Sequence, residues 1–303
     1  MSKTAFLFPG QGAQAVGMGK HLVETLPAAA DIFQQANDVL GYDLAKICFD
    51  GPAEKLDSTA YSQPAIFVSS FAALASLQTS APDVVASCDF AAGLSLGEYS
   101  ALVFAGVMDF EAGLRVVQAR GKAMQTASDL VASGMVSVLG LDRKQVQQIC
   151  DDARVEGGTL QLANLLCPGN IAISGDKQSC NQVEEVAARA GAMKSIPLAV
   201  AGAFHTDLMQ PALEHLTTAL CEVEMQPPRI PVVSNVDAQT HADPTEIKQL
   251  LIQQVVEPVH WEDSIRFLIN AGVEQFFEIG SGRVLRGLLR RIDRKISCEN
   301  ITC

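Results

Sequence analysis

Between residues 131 and 198 the hydrophobic pattern runs strand, helix, strand, strand, helix, strand. Strand-like runs fall at 135–139, 159–163, 171–174 and 193–198, and helical ones at 142–152 and 177–190. The two periods place apolar side chains on different faces, so the order of elements limits the folds available. This β-α-β-β-α-β order is the signature of a ferredoxin-like subdomain. The flanking sequence keeps another rhythm. A short apolar run at 4–8 ends at Pro9-Gly10, helical patterns cover 17–26, 30–40 and 63–78, and a second strand lies near 88–92. Helices follow at 98–106 and 109–127. Past the insertion come a helix at 206–224, a strand at 230–233, two helices, a strand at 275–279 and a final helix. Strands alternating with helices imply a mainly parallel sheet covered on both faces. The expected architecture is α/β. A discontinuous large domain spans 1–130 and 199–303, with the ferredoxin-like subdomain inserted at 131–198 and a substrate cleft between them.

The chain has 303 residues, enough for a sizeable core, with 48% apolar and 18% charged residues. Its longest uncharged run lies between Asp57 and Asp83, and the apolar part, 65–77, is shorter than the ~20 residues of a spanning helix. It reads as a buried helix. The first residues show no cationic stretch followed by an apolar run and cleavage site, so the expected location is cytoplasmic. Eight cysteines without C-x-x-C spacing read as reduced, buried fillers, and the five histidines show no i, i+4 pairing for zinc. The formal charge of −12 argues against nucleic acid as a partner. Residues 283–295 depart from it: Arg283, Arg286, Arg290, Arg291, Arg294 and Lys295 face only Asp293. That segment is either a docking surface for an acidic partner or the solvated face of an amphipathic helix.

Gly93-Leu94-Ser95-Leu96-Gly97 has the G-x-S-x-G spacing of a nucleophile elbow and sits where a strand ends and a helix begins. Its glycines allow a sharp turn that exposes the Ser95 hydroxyl, and the helix amides favour developing negative charge. With that elbow the large domain reads as α/β-hydrolase-like. Gly10-x-Gly12-x-x-Ala15 formally fits a dinucleotide fingerprint, but Asp31 and Asp38 lie in a helical pattern rather than at the end of a second strand. The same loop could instead offer a backbone amide to an oxyanion.

Taken together, these segments resemble the malonyl-CoA:acyl carrier protein transacylases and the acyltransferase domains of fatty acid and polyketide synthases. The matching motifs are FPGQGAQ (8–14), GLSLGEYSAL (93–102), QARGKAMQ (118–125), NLLCPGNIAISG (164–175), GAFH (202–205), SNVDA (234–238) and EPVHW (257–261). The resemblance implies a ping-pong reaction of fatty acid synthesis through a malonyl-Ser95 ester, with malonyl-CoA and acyl carrier protein as partners. It implies His205 as the base that a serine hydroxyl needs, oriented by the backbone carbonyl of Gln254, a role indifferent to the side chain. The amides of Gln11 and Leu96 would form the oxyanion hole. Arg120 would grip the malonyl carboxylate bidentately, Met124 one turn on would line the acyl pocket, and Phe204 would wall off methylmalonyl. No metal or bound organic cofactor is implied. The chain departs from the family at Leu94, where a histidine is usual, and at Ser281, which replaces a proline between two glycines. A thioester hydrolase using the same pair and a non-catalytic carrier-binding module are the competing readings.

Overall fold

The computed structural model describes residues 3–303. Nine strands are present among them: β1 (Lys3–Phe8), β2 (Phe90–Gly93), β3 (Ser133–Leu139), β4 (Leu160–Cys167), β5 (Asn170–Asp176), β6 (Lys194–Pro197), β7 (Val232–Val233), β8 (Val273–Ile279) and β9 (Ser297–Ile301). They form two sheets. The larger has the order β7-β2-β1-β8-β9, and every neighbouring pair is parallel. Parallel neighbours need long crossovers, and helices supply them on both faces. Alternation along β1 divides the core accordingly. Phe6 and Phe8 pack with Ile66, Phe67 and Leu114, while Ala5 and Leu7 pack with Trp261, Ile265 and Leu285.

The smaller sheet has the order β4-β5-β3-β6 and is antiparallel throughout. Helices Arg143–Ala153 and Lys177–Arg189 bury Val146, Ile149, Val183 and Ala187 in a core shared with Val138, Leu162 and Ile173. Both helices start on side-chain caps: Asp142 accepts from the Gln145 amide in a capping box, and Asp176 accepts from the Ser179 amide. This is the ferredoxin-like arrangement that the pattern at 131–198 predicts.

A backbone seam joins the sheets. The Leu165 amide donates to the Val259 carbonyl at 2.9 Å, and the Val259 amide donates to Ala163 at 2.8 Å. Nearby, Gln161 of β4 and Asp207 exchange hydrogen bonds in both directions at 3.0 Å. These contacts set the small sheet against the loops at 203–207 and 254–260.

Several local expectations need correcting. The helix predicted over 206–224 is a 3-10 turn, Asp207–Ala212, followed by an α-helix, Leu213–Cys221. Pro211 has no amide hydrogen to give to an α-helical bond there. The long uncharged segment is a buried helix, Thr59–Ser80, that starts before its Pro64. No helix among the described residues is long and apolar enough to cross a membrane. The edge strand β9 is absent from the sequence reading, because Glu299 and Asn300 interrupt its short apolar pattern. Cys48, Cys88, Cys150 and Cys167 are buried, but Cys221 is exposed.

Candidate active site

The sequence places Ser95 at the tip of β2, and the backbone there is held under constraint. Ser95 has φ 49° and ψ −100°, a conformation that L-residues rarely adopt. The flanking glycines are required by contact rather than by flexibility. A Cβ at Gly93 would strike the Gly97 main chain, and one at Gly97 would strike the Phe8 carbonyl. A Cβ at Gly10 would strike the Leu94 carbonyl, so the PGQG loop lies directly on the elbow. Tertiary contacts pin both peptide groups of the serine. Its amide donates to Asn235 Oδ1 at 2.6 Å, and its carbonyl accepts from Gln254 Nε2 at 3.0 Å.

His205 follows the GAF segment at φ 62° and is 3% exposed. Its Nδ1 lies 2.7 Å from the Gln254 carbonyl, and its Nε2 lies 2.9 Å from Ser95 Oγ. A carbonyl can only accept, so the Nδ1 proton is fixed there and Nε2 is left to accept from the serine hydroxyl. Burial, reinforced by the charge of Arg120, pushes the imidazole pKa down to about 4, while hydrogen bonds to backbone carbonyls oppose the shift. At neutral pH this ring is an uncharged base.

Arg120 is 1% exposed on helix Phe110–Leu130. It donates to Gln63 Oε1 at 2.8 Å, Gln254 Oε1 at 2.9 Å and Ser95 Oγ at 3.0 Å, and its guanidinium lies 5.2 Å from the Tyr99 ring centroid. None of these acceptors is a carboxylate. Its Nε has no partner among the described residues. Burial lowers its pKa, opposed by Tyr99 and Glu98. A desolvated cation bonded only to neutral groups is a strong attractor for an anion.

These groups open onto a cavity of about 310 Å³ between the two sheets. It brings together Gln11, Ser95, Leu96, Arg120, Met124, Phe204 and His205, with Met135, Asn164 and Ala172 from the small sheet opposite. Gln254 stands behind His205 and Arg120. The amides of Gln11 and Leu96 donate to no protein acceptor among the described residues, whereas that of Ser95 is already taken. Leu94, where the family usually carries histidine, is 8% exposed and packs in the same apolar cluster as Leu288.

A serine hydroxyl bonded to a neutral imidazole, two unengaged amides and a buried cation around one cavity are the parts that acyl transfer requires. The model of the acyl transferase domain matches residues 5–291. The chain belongs to the acyl transferase family. It is 43% identical over 296 residues to the malonyl CoA-acyl carrier protein transacylase of Bacillus subtilis (strain 168), covering 98% of this chain and 92% of that one. Among solved structures, it superposes on the acyl-carrier-protein-S-malonyltransferase from Bartonella henselae with a TM-score of 0.93 at 40% identity, covering 99% and 95% of the two chains. A malonyl-transacylase in complex with its type II PKS acyl-carrier protein gives a TM-score of 0.93 at 37% identity, covering 100% and 96%.

Sequence reasoning missed part of this acyl transferase site. Gln63, Glu98 and Asn235 contact Arg120, Gln254 and Ser95, yet none stands out by composition. Gln254 also does more than the family reading assigns it. Its side chain bridges Arg120, the Ser95 carbonyl and Glu98, so the position is not indifferent to residue type.

Proposed function

We propose that this chain transfers the malonyl group of malonyl-CoA to the phosphopantetheine thiol of acyl carrier protein, through a malonyl-Ser95 ester, in fatty acid biosynthesis. The observation that carries the reading is Arg120, a buried cation with no anionic hydrogen-bond partner among the described residues, beside the Ser95–His205 pair. A malonyl carboxylate satisfies it bidentately, and an acetyl group leaves it empty. Met124 and Phe204 line the cavity, and if they pack against the acyl group one extra methyl there should cost about 1–3 kcal/mol.

In the first half-reaction Ser95 Oγ gives its proton to His205 Nε2 and attacks the thioester carbon. The amides of Gln11 and Leu96 receive the oxyanion. Collapse of the tetrahedral species breaks the carbon–sulfur bond, and the CoA sulfur leaves with the proton from His205. The second half-reaction runs the same steps backwards, with the pantetheine thiol as nucleophile and Ser95 Oγ as leaving group. Residues 1–130 and 199–303 make up the catalytic domain in this proposal, and 131–198 the inserted subdomain that closes the cleft. Carrier docking falls to the exposed arginines of helix Val284–Ile292, whose Val284 and Leu288 line the cavity. A cytoplasmic setting is in keeping with eight dispersed thiols.

Mass spectrometry after mixing with malonyl-CoA tests the chemistry. A malonyl adduct on Ser95 that persists without acceptor and disappears on adding a pantetheine thiol is the expected result. No adduct points to a binding module, and rapid loss of the adduct to water points to a hydrolase.

A further inference from the structure

Glu98 has no part in the reaction steps above, although its side chain is buried three residues past the nucleophile. Its Oε2 accepts from Gln254 Nε2 at 2.7 Å and from the Asn235 amide at 3.1 Å. Each donor leads to Ser95. Gln254 Nε2 also donates to the Ser95 carbonyl, Asn235 Oδ1 receives the Ser95 amide, and Asn235 Nδ2 donates to the Gly93 carbonyl at 2.8 Å. Holding Gln254 Nε2 toward Glu98 also turns Gln254 Oε1 toward Arg120, and the carbonyl of the same residue orients His205. One carboxylate oxygen thus fixes the two residues that grip the strained serine from either side.

We infer that Glu98 is a positioning residue for acyl transfer, holding Ser95, His205 and Arg120 in register through Asn235 and Gln254. The inference rests on the acyl-transfer reading of the site. As an anion Glu98 can only accept, which leaves the Gln254 amide a single orientation; a protonated carboxyl can donate and relaxes that choice. Burial raises its pKa to about 7, against the hydrogen bonds from Gln254 and Asn235 and the charge of Arg120. Asp237, in the loop after β7, adds to the rise, and the Tyr99 phenol beside it stays protonated, its own pKa raised to about 12 chiefly by burial. His205 lies beyond Gln254 and is neutral in this range. The positioning network therefore titrates near neutrality.

The test is single-turnover acylation of Ser95 by malonyl-CoA, read as CoA release, which avoids the pH dependence of the acceptor thiol. Glu98→Leu removes the acceptor and should slow acylation by ~10²-fold, with half-saturation changed by less than about threefold. Glu98→Gln mimics the protonated acid, with one acceptor oxygen and a donor, and should sit several-fold below wild type at about pH 8 and close to the wild-type rate at about pH 6. The wild-type rate should rise several-fold between about pH 6 and about pH 8, and Glu98→Gln should be flat over that range. A folded Glu98→Leu protein with near wild-type acylation overturns the inference. So does a Glu98→Gln profile that keeps the wild-type inflection, or a wild-type profile without one, and these comparisons decide the matter should Glu98→Leu not fold. If wild type forms no acyl-serine at all, the proposed function fails, not this refinement of it.

Discussion

Replacing Arg120 with methionine removes the guanidinium while keeping most of the side-chain volume. In the free protein Arg120 is a nearly inaccessible cation bonded to Gln63, Gln254 and Ser95, with no carboxylate among its acceptors. Losing those bonds and losing a desolvated charge oppose each other, so stability should change little. Malonyl transfer should change a great deal. Truncating one member of a buried, hydrogen-bonded charge pair costs about 2–5 kcal/mol, and each 1.36 kcal/mol is about tenfold in rate. From the middle of that range, kcat/KM for malonyl-CoA should fall by ~10²–10³-fold. Acetyl-CoA has no carboxylate to lose, so its kcat/KM should move by less than about fivefold and the preference for malonyl should collapse. Arg120→Lys keeps a charge but not the fork, and should fall between the two. The assay is release of CoA thiol from both acyl-CoAs, with circular dichroism as the check on folding. A folded Arg120→Met protein with the wild-type malonyl-to-acetyl ratio would refute the assignment of Arg120 to the substrate carboxylate.

Further outcomes follow from the same geometry. The His205 pKa is about 4 in the folded protein against an ordinary 6.5, so the base is available at neutral pH and kcat/KM should fall as the pH drops through about 4. Its stability contribution is complete above 6.5 and is lost as the pH falls from there toward about 4; melts of His205→Asn should lack that component. Gly97→Ala drives a Cβ into the Phe8 carbonyl and should lower stability by about 2–4 kcal/mol, measured by urea unfolding. Arg286→Glu with Arg290→Glu should weaken and flatten the salt dependence of transfer to carrier protein, while acylation by malonyl-CoA stays unchanged. Unaltered carrier affinity would remove helix Val284–Ile292 from the docking surface.

What the sequence made legible was local or periodic. Ser95 announces itself because the elbow spacing and the strand-to-helix junction coincide within five residues, and the insertion at 131–198 shows through its change of period. His205 and Arg120 are legible only through motif register, since a lone histidine or a helical arginine carries no mark of burial. Glu98 was invisible for a different reason. An acid in the first turn of a helix is ordinary, being favoured there by the helix dipole. Its partners, Asn235 and Gln254, lie 137 and 156 residues away. The 3-10 turn after Thr206 and the edge strand β9 were lost to Pro211 and to two polar residues, small local features that periodicity averages away.

The left-handed backbone at both reacting residues, φ 49° at Ser95 and φ 62° at His205, gives this protein a built-in gauge of its own integrity. Neither kink is comfortable by itself; each persists only while distant neighbours hold it. A slight loosening of those neighbours would let the two side chains drift apart while sheets and helices stay formed. Turnover should therefore vanish ahead of any spectroscopic sign of melting, so the heat tolerance of the catalyst should follow the two bends rather than the bulk of its core.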